Sequence, residues 1–231
     1  MQNTSPLYQQ IIGEEGHFFE AKLVINGVAY DKSVLVEMET SVAMFSGTPE
    51  IGKAVSGQIS VKMLAPHEDI PTMARMEPYV RARTATQTSE WIQQGVYFID
   101  TREMTKNEAG ENVLSIHGFD AMLKAEQMYN GRIAGDSTDI QMVNEIAYQL
   151  GVAVDARTTA AMTSGYTIPF PSGFSYREIL GYIAAMYVGC FIMSDIGELR
   201  LVSILELPPE TNYLIDQTGD AITFGGDRIL V

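Results

Sequence analysis

The hydrophobic period of this chain changes near Gly118 from that of strands to that of helices, and the change constrains the fold more than any single motif does. Before it, apolar side chains alternate at the period of two that places a strand between a core and solvent. Residues 19–25 and 28–31 flank Asn26-Gly27, and a type I′ turn asks for positive φ at both central positions, so a β-hairpin is expected there. Residues 33–40 put Val34, Val36 and Met38 on one face and Ser33, Leu35, Glu37 and Glu39 on the other. A turn at Ser46-Gly47-Thr48-Pro49 leads to residues 58–64, where Ile59, Val61 and Met63 alternate with Gln58, Ser60 and Lys62. Residues 80–88 alternate again with Arg81 and Arg83 outward, and 95–101 and 112–117 flank a polar loop holding Lys106, Asn107, Glu108, Gly110 and Glu111. Residues 1–17 show no clear period. So dense a run of short strands predicts a small antiparallel barrel or sandwich.

After Gly118 the period becomes helical. Residues 120–129 read as a short helix stopped by Asn130-Gly131. Thr138 with Gln141, and Ser175 with Glu178, have the spacing of capping boxes. The first precedes Ile140, Val143, Ile146, Ala147 and Leu150 and ends at Gly151; the second precedes Ile179, Leu180, Ile183 and Ala184 and ends at Gly189. Residues 190–194 and 198–203 form a hairpin around Asp195-Ile196-Gly197, Pro208-Pro209 follows, and strand-like residues return at 222–224 and 229–231 around Gly225-Gly226. The expected class is α+β: an antiparallel β-barrel-like domain over 1–117, a small α+β domain of three helices and a β-hairpin over 118–206, and the strands of an incomplete second barrel over 207–231.

Chemistry is sparse. The formal charge is −14, and the densest basic cluster is Arg81-Ala82-Arg83. Binding a phosphate backbone needs concentrated positive charge, so no specific nucleic-acid binding is expected. The only cysteine, Cys190, lies in the apolar run 187–193 and reads as a buried, inert thiol. The N-terminus lacks the basic start and apolar stretch of a secretion signal, and no uncharged apolar run reaches 18 residues, so synthesis in the cytoplasm without a membrane-spanning helix is expected. His17, His67 and His117 sit in separate contexts with no second ligand at metal-binding spacing, and His117 reads as a partly buried hydrogen-bonding residue. Glu37 and Glu39 share a strand face but it is the polar one, and Glu14-Glu15 and Glu68-Asp69 read as loop charges. Ser175 stands where a helix cap is needed, outside any nucleophile elbow. Neither 13–16 nor Gly225-Gly226-Asp227-Arg228 makes a phosphate loop, and Asp195-Ile196-Gly197-Glu198 lacks the alternate oxygens of a calcium loop. No catalytic, cofactor-binding or metal-ligating residue is therefore expected, and no enzyme. The 13 Met and 11 Tyr suit adaptable protein contacts beyond core filling.

Three segments in order carry a resemblance: Trp91-Ile92-Gln93-Gln94-Gly95-Val96-Tyr97-Phe98-Ile99-Asp100, then VLSIHGFDAML over 113–123, then SYREILGYIAAMYVGCFIMSDIGELRLV over 175–202. Together the chain resembles the bacteriophage tail-hub family, which includes the N-terminal hub region of siphophage tail-tip proteins and the contractile-tail baseplate hub. The resemblance implies a structural component of a phage or prophage tail tip, joining the tail tube to the tip around the genome-passage channel. It further implies a homotrimer with distal-tail, tail-tube, tape-measure and tip or receptor-binding proteins as partners, located in the virion tail. Family hubs carry a second complete barrel, whereas this chain stops soon after Ile222 and Ile229, so a shorter relative or a continuation elsewhere is expected. Two alternatives are the N-terminal part of a tail-associated cell-wall hydrolase, for which cell-wall clearing lost on Glu37→Gln would speak, and a carbohydrate-binding adhesin module using Trp91 as a stacking platform.

Overall fold

The structure is a computed structural model that describes residues 4–42, 51–66 and 70–203, and the backbone of 223–224 and 227–228. Ser5 caps and Pro6 opens a helix, α1 (Pro6–Gly13), where the sequence showed no period; Ile11 is its buried anchor. The expected hairpin follows as β1 (Phe18–Ile25) and β2 (Val28–Tyr30), with Asn26 and Gly27 at φ 47° and 86° as a type I′ turn demands. Next come β3 (Leu35–Ser41), a two-residue β4 (Lys53–Ala54), β5 (Gln58–Leu64), β6 (Arg75–Arg83), β7 (Ile92–Gln93), β8 (Tyr97–Lys106) and β9 (Asn112–Phe119). The strand expected over 80–88 thus begins earlier, running through Pro78 and ending at Arg83.

These strands make an antiparallel sheet in the order β2-β1-β6-β8-β9-β5-β3, with β7 beside β6. Among the described residues the sheet has free edges at β2 and β3 and no hydrogen-bonded closure. It nevertheless folds over its own core, because Leu23 and Ile25 near one edge share a buried cluster with Ile59, Val61 and Met63 near the other. Two irregularities decide which side chains reach that core. A bulge between Leu35 and Glu37 breaks the alternation expected in β3: Leu35 packs against the cluster with Val34 and Met38, while Val36 is 64% exposed. A second bulge between Ile99 and Thr101 inserts Asp100 into β8 opposite β9.

The helix expected over 120–129 is a shorter 3-10 helix (Ala121–Glu126), capped by Asp120 and stopped before Asn130-Gly131. Beyond it run β10 (Ser137–Thr138), α2 (Asp139–Leu150), α3 (Ala156–Ala161), β11 (Thr167–Ile168), α4 (Tyr176–Met186), β12 (Gly189–Met193) and β13 (Leu199–Ser203). Both capping boxes are made in full, Thr138 with Gln141 and Ser175 with Glu178, and Gly151 closes α2 at φ 75°. A fourth helix, α3, rests on the Asp155 cap, a signal the apolar spacing did not carry. Met142, Ile146, Leu180, Ile183, Phe191 and Leu199 centre a second buried cluster. Its sheet is completed from far back in the chain, since β4 pairs in parallel with β12. Thr223–Phe224 (β14) and Asp227–Arg228 (β15) pair across Gly225-Gly226, while Ser46-Gly47-Thr48-Pro49, Pro208-Pro209 and 229–231 lie outside the described residues.

Candidate interaction surfaces

Where the strand path passes from β9 into the 3-10 helix, Asp120 is 3% exposed and accepts hydrogen bonds from the Gly57 amide at 2.6 Å, the Ser56 hydroxyl at 2.9 Å and the Met122 amide at 3.0 Å. Burial pushes its carboxyl up to about 6, against these donors and the nearby Arg177 charge. Arg177 on α4 donates to the Ala54 carbonyl at 2.5 Å and the Met122 carbonyl at 2.9 Å, and lies 2.6 Å from Glu126. One guanidinium therefore joins α4, β4 and the 3-10 helix. Elsewhere, Glu145 on α2 is clamped by the Arg132 amide and guanidinium at 2.8 and 2.9 Å. Burial alone would raise Glu145, but the Arg132 hydrogen bonds outweigh it and bring its carboxyl to about 2.

Residues singled out in the sequence scatter. Cys190 is buried. The Nδ1 of His17 lies 2.8 Å from the Glu14 carbonyl. His117 is exposed on β9, not partly buried, because the neighbouring Ile116 and Gly118 take the inward positions. His67 and Glu68-Asp69 lie outside the described residues, among which no cluster of three or more His, Cys, Asp or Glu side chains could hold a metal ion. Glu37 is held by Lys62 at 2.7 Å on the open face of the sheet, and Asp195 with Glu198 belongs to the β12–β13 turn. Ser175 is a cap, as expected. Trp91 is half-buried, with the Lys22 ammonium and the Arg81 guanidinium 4.6 and 4.3 Å from its ring centre, so cations already occupy the stacking surface a sugar would use.

Strand register creates what no local motif announced. Glu39, Ser60, His117 and Thr101 stand side by side on β3, β5, β9 and β8. With bulged Asp100 they line a concavity of about 380 Å³ on the outer face of the sheet. A second concavity, about 520 Å³, lies between β4 and α4 and is bordered by Tyr182. Tyr182 is 58% exposed and packs edge-on against Phe174 at 5.5 Å; Met186 at the end of α4 and Phe170 and Tyr166 on neighbouring segments are also exposed. Exposed aromatic side chains are enriched where proteins meet one another.

An open antiparallel sheet folded over one core, followed by a helical layer around a second, defines an α+β architecture. The fold is shared with the 43 kDa tail protein of prophage MuSo2 from Shewanella oneidensis, at TM-score 0.53 and 12% identity over 89% of this chain and 58% of that one. It is shared also with a tail protein of Neisseria meningitidis MC58, at TM-score 0.52 and 13% identity over 87% of this chain and 56% of that one. The chain thus spans a little more than half the length of either. No protein-family model matches the sequence, and no curated protein does.

Proposed function

We propose that this protein is a non-enzymatic structural component of a phage or prophage tail, placed at the tip or baseplate hub and working as a homotrimer around the genome-passage channel. The observation that supports this most is the fold itself, shared across most of the chain with a prophage tail protein and a second tail protein. The exposed aromatic surface around α4 fits a protein whose work is contact. Its partners on this reading are the distal-tail, tail-tube, tape-measure and tip proteins, and its place is the virion tail.

Mass spectrometry of purified particles is the test. The chain is expected in intact tails at a copy number divisible by three, and deletion of its gene is expected to leave particles without functional tails. Full infectivity and normal tails after deletion would overturn the reading.

A further inference from the structure

Charge is segregated on the two ends of the long sheet. On the outer face of β1 and β6, Glu20 opposes Arg81, with guanidinium nitrogens of Arg81 and Arg83 at 2.6 and 3.1 Å and Lys32 at 3.5 Å. One carboxylate thus faces three cations. Beside it Lys22 lies over Tyr79 and Trp91, and among the described residues no carboxylate pairs with it. Arg75 and Glu77 balance one another at 2.8 Å, so this face keeps a cationic surplus in a chain whose net charge is −14. At the other end the outer face of β3, β5, β9 and β8 carries Glu37 and Glu103 in register with Lys62, Glu39 in register with Ser60, and Asp100 beside them. Lys62 is committed to Glu37, leaving Glu39, Asp100 and Glu103 without an ion pair among the described residues. Glu39 and Asp100 line the concavity of about 380 Å³.

We infer that these two faces are the halves of one self-contact: the Lys22–Arg81 face of one copy seats against the Glu39–Asp100 concavity of the next. The inference rests on the reading of the protein as a self-assembling tail component and names the surfaces that would join its copies. A second copy is the occupant because the same chain supplies both charge signs, each on a flat or hollowed sheet face. Nucleic acid fits less well, since Trp91 and Tyr79 are already covered by Lys22 and Arg81 and the overall negative charge repels a polyanion. The contact is heterologous, joining unlike faces, so it closes into a ring or continues as a filament.

Sedimentation velocity on the whole chain, with charge reversals on each face, tests this. The native protein is expected to self-associate at low salt and to dissociate as salt is raised. K22E alone and the E39K/E103K double variant alone are each expected to associate at least tenfold more weakly. Mixing the two variants restores association between unlike copies, because each contact of one variant with the other again pairs opposite charges. A monomeric native protein, variants that associate like the native one, or a mixture that stays monomeric would each overturn the inference. So would a basic face that binds nucleic acid while the protein remains monomeric. Variants that assemble like the native protein, together with normal incorporation into tails, would sink this contact and leave the tail assignment standing.

Discussion

Gly118 stands on β9 where β8 crosses closest to it, and a Cβ there would come within 2.5 Å of the Phe98 carbonyl and 2.6 Å of the Met76 side chain. Met76 can shift, but a backbone carbonyl in a paired strand cannot do so cheaply. Gly118→Ala is therefore expected to lose about 1–3 kcal/mol of stability by overpacking, read as a lower urea midpoint at unchanged slope. In the sequence Gly118 read as the stop between a strand and a helix; its actual service is to let two backbones approach. Two residues on, Asp120 makes a different prediction. Its folded carboxyl titrates at about 6, above the usual aspartate value of 3.8, so the folded state holds the proton more tightly than the unfolded chain does. The stability gained from that proton is full below about pH 4 and is lost as pH rises through about 6. Asp120→Asn cannot take up the proton and flattens this part of the profile. Urea midpoints measured from about pH 7 down to about pH 4 should show the native protein gaining on the variant; parallel profiles would refute the assignment.

At the scale of elements, α4 illustrates how caps set boundaries. The Ser175 hydroxyl accepts from the Glu178 amide at 3.2 Å, and the Glu178 carboxylate accepts from the Ser175 amide at 2.7 Å. Ser175→Ala removes one half of this exchange and is expected to cost about 1 kcal/mol, whereas Ser175→Asp, which keeps an acceptor, should retain most of the stability in thermal melts. Both capping boxes were legible in the sequence because their chemistry lies within four residues, and so was the Asn26-Gly27 hairpin. The start of α1 carried a signal of the same kind, Ser5 before Pro6, but its short apolar face hid the period. Other elements were illegible for physical reasons. The bulge in β3 turns Val36 outward through pairing with β5, which the local alternation of Val34, Val36 and Met38 cannot foretell. β4 is two residues long and exists only because β12, more than a hundred residues later, offers it a parallel edge. Even Gly189, which marks the end of the α4 pattern, is fixed by a distant neighbour: its missing Cβ would strike the Val202 carbonyl on β13. The candidate surfaces belong to the same class, since Glu39, His117 and Asp100 meet only after three strand registers are set.

For the whole molecule the question is whether two buried clusters make one cooperative unit. The Leu23–Met63 cluster lies inside the long sheet and the Ile146–Leu180 cluster among the helices, so each has apolar content enough to stand as a separate core. Several ties cross between them. Phe98 lies on β8 of the long sheet yet packs against the helical cluster. β4, on the chain path between β3 and β5, is hydrogen-bonded to β12, with the Gly52 amide on the Gly189 carbonyl and the Val55 amide on the Phe191 carbonyl, both at 2.8 Å. Asp120 grips Gly57 at the foot of β5, and Arg177 holds Ala54 from α4. Opening either cluster alone would break this set of buried hydrogen bonds, each costing on the order of 1–3 kcal/mol when left unsatisfied. Cooperative unfolding is therefore expected, and the single tryptophan makes it measurable. Trp91 reports on the long sheet beside Lys22 and Arg81, while Ile146 is buried in the other cluster. Ile146→Ala is expected to cost about 2–5 kcal/mol through the cavity it leaves. If the molecule unfolds as one, this change shifts the Trp91 fluorescence transition and the far-ultraviolet circular dichroism transition by the same amount. A Trp91 transition that stays at the native midpoint while the dichroism signal splits into two steps would show instead that the sheet and the helical layer unfold separately, and that the ties through β4, Asp120 and Arg177 are too weak to couple them.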